Sequence, residues 1–270
     1  MKMINHIKYL AIKCCDVQAT ANFYTKWFGM KIIGSDMNEH ISITDGWVNI
    51  SLIPKNSSDD SPEGLDHFGI SVDSTEQLMS KFSNLHPQIK FEDSFSGLHY
   101  GDYIITDPNG TKISISESNF GLSPNIELSK IRLRHMSLCV DTGIQLRDFF
   151  TRTFEFREVK TSVVRREQCV DKLPFFFVGD GHINLGFLPK EIMLDKPDRK
   201  NLTLGHKKHG WFGHIGFVVP DMNIFMNQLD GKTAGRDMAE FRVWDPEGNA
   251  IDLSQEKGFE VDYDVWQKAI

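Results

Sequence analysis

The feature that most constrains this 270-residue chain is an internal repeat. The segment DGWVNISLIPK at residues 45–55 returns as DGHINLGFLPK at residues 180–190, with Asp, Gly, Asn, Pro and Lys in register. Two more segments of the first half, HFGISV and DPNGTKISI at 67–72 and 107–115, return as HIGFVV and DPEGNAIDL at 214–219 and 245–253. The three pairs occur in the same order, which is typical of a duplicated gene. We therefore predict two halves of the same fold.

The composition is that of a globular protein, with 40% hydrophobic and 25% charged residues. The formal net charge of -7 at pH 7 argues against a nucleic-acid surface, which needs clustered Lys and Arg. No segment has the run of about 18 apolar residues that spans a bilayer, and the N-terminus lacks the pattern of a signal peptide. The four cysteines show no C-x-x-C spacing, which favours reduced thiols. We expect a cytoplasmic protein with no nucleic-acid or membrane partner.

Each half subdivides into two units of one strand, one helix and three short strands. The strands show alternating or continuous apolar residues, and the helices show apolar residues three and four positions apart. Asp16 and Asp141 are the predicted N-caps of the first helix in each half. The same order restarts at His67 and at His214. The Gly-, Ser-, Pro- and Asn-rich stretch 118–125 predicts the boundary between the halves.

Four such βαβββ modules in tandem resemble the vicinal oxygen chelate superfamily. Its members include glyoxalase I, type I extradiol dioxygenases, fosfomycin-modifying enzymes and bleomycin-binding proteins. The marks of the resemblance are the histidine early in a strand, the aromatic pair downstream of it, and the closing segment at 245–253. The resemblance covers nearly the whole chain. It implies an α+β fold with the four modules paired into two half-open barrel domains, at residues 1–120 and 121–270.

The resemblance also implies that metal ligands project inward from the first and last strands of a module. Since a strand turns alternate residues to opposite faces, a ligand must keep its register. His135 lies fourteen residues before Phe149, the usual separation in this superfamily. Fourteen residues before the equivalent Phe23 stands Tyr9, and His6 is offset from it by three positions. We therefore predict that His6 points to the other face and is not a ligand.

On this alignment the C-terminal half offers His135, His214 and Asp252 as metal ligands. Two imidazoles and one carboxylate form a facial triad that leaves open positions on Fe(II), and the triad also suits Mn(II), Zn(II) or Ni(II). The equivalent positions of the N-terminal half hold Tyr9, His67 and Ser114. These residues make a poor cation site. We predict a divalent metal, with Fe(II) favoured, in the second half, and a degenerate site in the first.

The candidates for catalysis beside the metal are His182, Asn184, Glu240 and Arg242. Asn184 occupies the place where glyoxalase-type members have a further carboxylate ligand, although an amide oxygen coordinates only weakly. His182 would bind substrate or transfer a proton, and a solvated polar residue is an equally open interpretation. Glu240 is a carboxylate on the preceding strand. Arg242 is the polar residue nearest to the place where extradiol dioxygenases have an acid–base group.

The favoured function is an oxygenase similar to the extradiol dioxygenases, acting on a small substrate that chelates the metal through vicinal oxygens. The chain departs from that family because the acid is Asp and the expected acid–base His falls at Ile183. The first alternative is a glyoxalase-type lyase or isomerase with Glu240 as base. The second is a binding protein that sequesters a small molecule, as bleomycin-binding relatives do. The substrate, a homo-oligomeric state, and the roles of the loop 204–211 and the tail 258–270 stay open.

Overall fold

Two mixed β-sheets with helices packed against them form an α+β arrangement, which confirms the predicted fold class. The computed structural model describes residues 5–35, 40–55, 64–94, 101–122, 125–159, 176–190, 212–228, 241–255 and 259. The predicted loop 204–211 and the tail other than Phe259 lie outside these ranges. Within them, no helix is long and apolar enough to cross a membrane.

The first half builds its sheet from two consecutive modules. Its elements are β1 (His6–Cys14), α1 (Val17–Phe28), β2 (Lys31–Ser35), β3 (Ile41–Thr44), β4 (Asn49–Pro54), β5 (Gly64–Ser71), α2 (Thr75–Leu85), β6 (Glu92–Asp93), β7 (Tyr103–Thr106) and β8 (Lys112–Ser116). The strand order is β2-β3-β4-β1-β5-β8-β7-β6. Because β1 pairs antiparallel with β5, the two modules join through their first strands into one open sheet.

The second half repeats this plan. Its elements are β9 (Arg132–Val140), α3 (Gly143–Thr153), β10 (Arg157–Glu158), β11 (Phe176–Gly179), β12 (Asn184–Pro189), β13 (Phe212–Val218), α4 (Met222–Gln228), β14 (Phe241–Trp244) and β15 (Ala250–Ser254). The strand order is β10-β11-β12-β9-β13-β15-β14. Here β9 and β13 join the modules antiparallel, as β1 and β5 do in the first half. The domain boundary at residue 120 stays a prediction, and it falls between the end of β8 and the start of β9.

The helix ends follow local rules that the sequence partly reveals. Asp16 caps α1, since its carboxylate accepts from the backbone N–H of Ala19 at 2.8 Å. The helix ends at Gly29, whose φ of 65° is left-handed and costs glycine little. The prediction for the second half was one residue wrong, because the N-cap of α3 is Thr142 and not Asp141. Thr142 is the residue that holds extended backbone angles directly before the helix, and its side chain makes no capping bond.

One hydrophobic core runs through both halves. Most buried apolar residues of the two sheets and of the described helices pack against one another, while Tyr9, Ala11 and Phe120 form a separate small cluster. Phe28 of α1 has its ring centroid 4.3 Å from that of Phe217 in β13, and Phe68 of β5 lies 6.2 Å from Phe150 of α3. Each half therefore contributes side chains to the packing of the other, so the orientation of the two sheets is set by core contacts.

Two equivalent aspartates add polar contacts between the halves. The Oδ1 atom of Asp45 accepts from backbone N–H groups of its own turn, and its Oδ2 accepts from the backbone N–H of Leu133 in β9 at 2.8 Å. Asp180 binds its own turn in the same way, and its Oδ2 accepts from the backbone N–H of Ile7 in β1 at 2.7 Å. The turn before the last strand of the first module in one half, β4 or β12, thus holds the first strand of the other half.

Candidate metal centre

Three adjacent strands of the second sheet place His135, His214 and Asp252 on one face. His135 lies on β9 and Asp252 on β15, and β13 runs between these two strands. Gly216 of β13 is in register with both residues, and His214, two positions earlier, shares its face. A Cβ at Gly216 would lie 2.9 Å from the Cβ of His135, so the close approach of these strands requires glycine.

The three side chains meet in the interior. The Nε2 atoms of His135 and His214 are 3.1 Å apart, and Nε2 of His214 is 3.1 Å from Oδ2 of Asp252. The three residues are 4%, 7% and 2% exposed, respectively. Ligand atoms at right angles on one ion, with bonds of about 2.1 Å, are roughly 3 Å apart. Both separations therefore match those between neighbouring ligands of a divalent metal.

The present arrangement is nevertheless a hydrogen-bonded one. The two Nε2 atoms face each other, with the donor set by the tautomer. Across the residues that the structure describes, no three His, Cys, Asp or Glu side chains already converge as the ligands of one metal ion would. Metal binding would therefore require the imidazoles to turn from each other towards a shared point.

The second nitrogen of each imidazole has a partner that suits a metal ligand. Nδ1 of His135 lies 2.9 Å from Oδ1 of Asn184, and an amide oxygen only accepts, so Nδ1 carries the hydrogen and Nε2 the lone pair. Nδ1 of His214 lies 2.8 Å from the hydroxyl of Ser137, which can donate or accept. The hydroxyl therefore allows the proton of His214 to sit on Nδ1 when Nε2 is needed as a ligand.

Burial, followed by the nearby imidazole of His214, lowers the pKa of His135 to about 3. The ring is therefore neutral at ordinary pH, as a metal ligand must be. A neutral imidazole with a fixed second nitrogen, a second imidazole and one buried carboxylate are a donor set that fits a divalent transition metal. The residues present thus fit the metal that the superfamily implies.

Arg242 brings a positive charge to this cluster. It lies on β14 directly opposite Asp252, and it is 5% exposed. Its Nε donates to Oδ1 of Asp252, while the other carboxylate oxygen faces His214. The structure thus brings Arg242 together with the three predicted ligands, in contact with the carboxylate.

Of the other catalytic candidates, Asn184 reaches this cluster and His182 does not. Asn184 contacts His135 and so supports that ring. The ring of His182 stacks on Trp47, with centroids 3.4 Å apart, and lies 5.4 Å from His6. His182 therefore lies beside His6, the histidine predicted not to be a ligand, where the two halves meet. It does so because it belongs to the turn before β12 and not to the strand itself. Glu240 lies outside the described residues.

The first half has different residues at two of the three equivalent positions. Tyr9 and Ser114 flank Gly69 in register, as His135 and Asp252 flank Gly216 in the second half. The ring of Tyr9 stacks on Phe120 with centroids 5.2 Å apart. The side chain equivalent to the candidate ligand His135 is thus an aromatic ring that packs against Phe120.

Sequence reasoning missed three supporting residues in the second half. Ser137 binds His214, Gly216 allows the strands to approach, and the ring of Phe259 stacks parallel to His135 at 5.0 Å. A signal existed for Ser137, because it lies two residues after His135 and so shares its face. Phe259 was noted only as part of the tail, and no local pattern indicated its contact with the imidazole.

The comparison with known families agrees with this architecture. Residues 4–115 match the family model of the Glyoxalase/Bleomycin resistance protein/Dioxygenase superfamily. The second half repeats the topology of the matched half, with a strand order that corresponds to it. The match confirms the resemblance to the vicinal oxygen chelate superfamily over residues 4–115. In the second half the resemblance rests on the shared topology.

Several solved structures share the fold over almost the whole chain. The 2,3-dioxygenase LapB from Pseudomonas sp. KL28 is 13% identical with a TM-score of 0.63, over 93% of this chain and 92% of that one. An extradiol ring-cleaving dioxygenase from B. fuscum is 15% identical with a TM-score of 0.64, over 96% and 74%. The Mn(II)-bound glyoxalase from Novosphingobium aromaticivorans is 16% identical with a TM-score of 0.67, over 99% and 87%. No curated protein sequence matches the chain. At these identities the likeness shows the fold alone.

Proposed function

We propose that this protein is a divalent-metal-dependent enzyme of the oxygenase type, whose small substrate binds the metal through two vicinal oxygens. His135, His214 and Asp252 would hold the metal. The observation that carries this proposal is the contact of these three buried side chains on one face of the second sheet, at separations of 3.1 Å. Three protein ligands leave positions for two substrate oxygens and for O₂. A bound Fe(II) would supply the redox chemistry between substrate and O₂.

The chain's own residues support this assignment by orienting and shielding the ligands. Asn184 fixes the ring of His135 through Nδ1, and Ser137 does the same for His214. The ring of Phe259, stacked on His135, covers one face of the imidazole and excludes water from it. A dry, oriented ligand set strengthens electrostatic interactions with a bound substrate.

A glyoxalase-type lyase or isomerase is the second candidate, and Arg242 is the observation that favours it. A buried guanidinium beside the metal would stabilise the negative charge that develops on an enolate oxygen. The reaction also needs a base, for which Glu240 remains a candidate. Against this function, the side chain in the fourth-ligand position, Asn184, is an amide already bonded to His135.

Metal uptake and O₂ consumption test the proposed function together. Wild-type protein loaded anaerobically is expected to retain about one Fe(II) per chain, because three oriented ligands are present. His135→Ala should retain none, and the control His67→Ala, at the first-half position equivalent to His214, should retain the wild-type amount. Metal analysis after desalting gives the stoichiometry. An oxygen electrode with a panel of catechols then measures turnover.

The outcomes separate the three functions. O₂ uptake with a catechol, lost in His135→Ala, supports the oxygenase. Metal binding with no O₂ uptake from any catechol contradicts it and leaves the lyase or isomerase. Wild-type protein that takes up no metal, and that is unchanged by His135→Ala, contradicts the metal site and leaves a small-molecule-binding protein.

The hydrogen bond from His135 to Asn184 gives a separate prediction. Asn184→Ala is expected to weaken metal affinity by about 10–100-fold, since the imidazole loses the partner that fixes its tautomer and orientation. Asn49→Ala is the matched control, because Asn49 is equally buried at the equivalent position and donates to the carbonyl of Phe120 at 2.7 Å. Isothermal titration with Mn(II) measures both affinities. Equal affinities in the two variants would contradict a role of Asn184 in holding the ligand.

A further inference from the structure

We propose that Arg242 sets the charge of the ligand that this site accepts, and that the site selects molecules whose two vicinal oxygens both bind as anions. The inference rests on the proposed function, since it concerns the same metal site. It adds a substrate class and a residue that determines specificity.

Arg242 is placed by the sheet and not by a flexible loop. It lies on β14 opposite Asp252 on β15, in direct register. Both residues are almost fully buried, and the guanidinium Nε donates to the carboxylate. Buried arginines are rare, because removing a charge from water is costly unless it is paired. The guanidinium therefore stays beside the carboxylate when that carboxylate also serves a metal.

The first half indicates that the arginine accompanies the acid. At the positions equivalent to Arg242 and Asp252, β7 and β8 pair Ile104 with Ser114. Neither charge is present there. The guanidinium thus occurs in the half that has the two imidazoles and the carboxylate, and is replaced by an apolar side chain in the half that lacks them.

The charges of the site then determine the ligand. A metal-bound imidazole is neutral, so His135 and His214 contribute no charge. Among the residues that the structure describes at this site, Asp252 contributes one negative charge, and Arg242 offsets it with one positive charge. Compared with the same three ligands alone, the site therefore needs one more negative charge from the bound molecule. In a buried site, an unbalanced charge costs several-fold more than it does in water.

The charge of the site favours a particular chemical class of ligand. Catecholates with both oxygens deprotonated, enediolates and vicinal dicarboxylates present two adjacent anionic oxygens. Monoanions of the same shape present one anionic and one neutral donor. The metal would attract both classes, but the guanidinium would favour the first by the additional Coulomb energy.

Oxalate and oxamate are suitable probes, because they have nearly the same size and shape and differ by one charge. Isothermal titration of Mn(II)-loaded protein with each probe gives the ratio of their affinities. The wild type is expected to prefer oxalate. In Arg242→Met and Arg242→Gln, two neutral variants of different shape, the ratio should fall by about tenfold, a difference of about 1.4 kcal/mol. Arg242→Lys keeps the charge and should keep the ratio.

Lys13→Met is the matched control for the loss of one paired positive charge. Lys13 forms an ion pair with Asp66, 2.9 Å away in the first sheet, and is outside the proposed site. The oxalate-to-oxamate ratio should be unchanged in this variant. A similar fall in Lys13→Met would show that overall net charge, and not Arg242, sets the preference, and would overturn the inference.

The affinity for Mn(II) in the absence of oxalate and oxamate is an independent measurement, and loss of the guanidinium should raise it. Removing the guanidinium should tighten Mn(II) binding by about tenfold, because a positive charge near the ion is lost. Asp252→Asn should weaken it. Wild-type protein that binds no Mn(II) would overturn the proposed function and this inference with it. Mn(II) binding with an unchanged probe ratio in both neutral variants would overturn this inference alone.

Discussion

Asp180→Asn is expected to lower the free energy of unfolding by about 2–3 kcal/mol, although it replaces a single oxygen by an amide nitrogen. The Oδ1 atom continues to accept from the turn backbone. The new Nδ2 group faces the backbone N–H of Ile7, so that two donors meet where a 2.7 Å hydrogen bond existed. The buried N–H of a central strand is then without an acceptor, and this is the costly part of the change.

Asp45→Asn should lower the free energy of unfolding by a similar amount. It removes the hydrogen bond from the backbone N–H of Leu133, through which the first half holds the second. The two losses should add in the double variant, because the bonds share no atoms. Asp107→Asn is the matched control. Asp107 also accepts turn N–H groups with Oδ1, but its Oδ2 accepts no hydrogen bond from the residues that the structure describes. We expect it to cost less than about 1 kcal/mol.

Urea unfolding followed by circular dichroism measures these differences. If the aspartates join the halves as the structure indicates, the two halves should unfold in one transition, in the wild type and in the control. Asp180→Asn with the stability of Asp107→Asn would contradict the importance of the contact between the halves.

Gly216→Ala is expected to change both stability and the metal site. The added Cβ would lie 2.5 Å from Cζ of Phe259 and 2.9 Å from the Cβ of His135. Because neither group can overlap with it, the strand or the imidazole must shift, at a cost of about 1–3 kcal/mol. A shifted imidazole should weaken Mn(II) binding by about 10–100-fold.

Gly69→Ala is the control that the duplicated fold provides. Its Cβ would lie 2.6 Å from Cζ of Phe120 and 2.9 Å from the Cβ of Tyr9, which is nearly the same steric conflict. The loss of stability should therefore be similar, while metal affinity should stay at the wild-type value. Both quantities are obtained from urea unfolding and from Mn(II) titration. A comparable loss of metal affinity in the two variants would show that general destabilisation, and not displacement of His135, is responsible.

The internal repeat made much of the fold and of the candidate site accessible from the sequence. Each half provides an alignment for the other, so the register of His135 could be assigned against Tyr9. The structure places these two residues opposite Asn184 and Asn49, respectively, which is the same position in the two sheets. Alternation along a strand is a local property, and it therefore survives in any tertiary context.

Contacts between distant strands were not accessible in this way. His182 lies two residues before the start of β12, and its ring stacks on Trp47 of the other half. The pairing of Arg242 with Asp252 depends on which strands are neighbours. The roles of both residues therefore depend on packing, which a pattern in one segment does not report.

The sequence by itself determined the α+β class and the order of the modules, because periodicity and turn residues act within short segments. The resemblance to the superfamily, together with the register in a repeated chain, selected the three candidate ligands. The tertiary structure alone decided the hydrogen-bond partner of each candidate ligand: Asn184 for His135, Ser137 for His214 and Arg242 for Asp252. These partners lie on neighbouring strands, and only the sheet pairing brings their atoms within hydrogen-bonding distance.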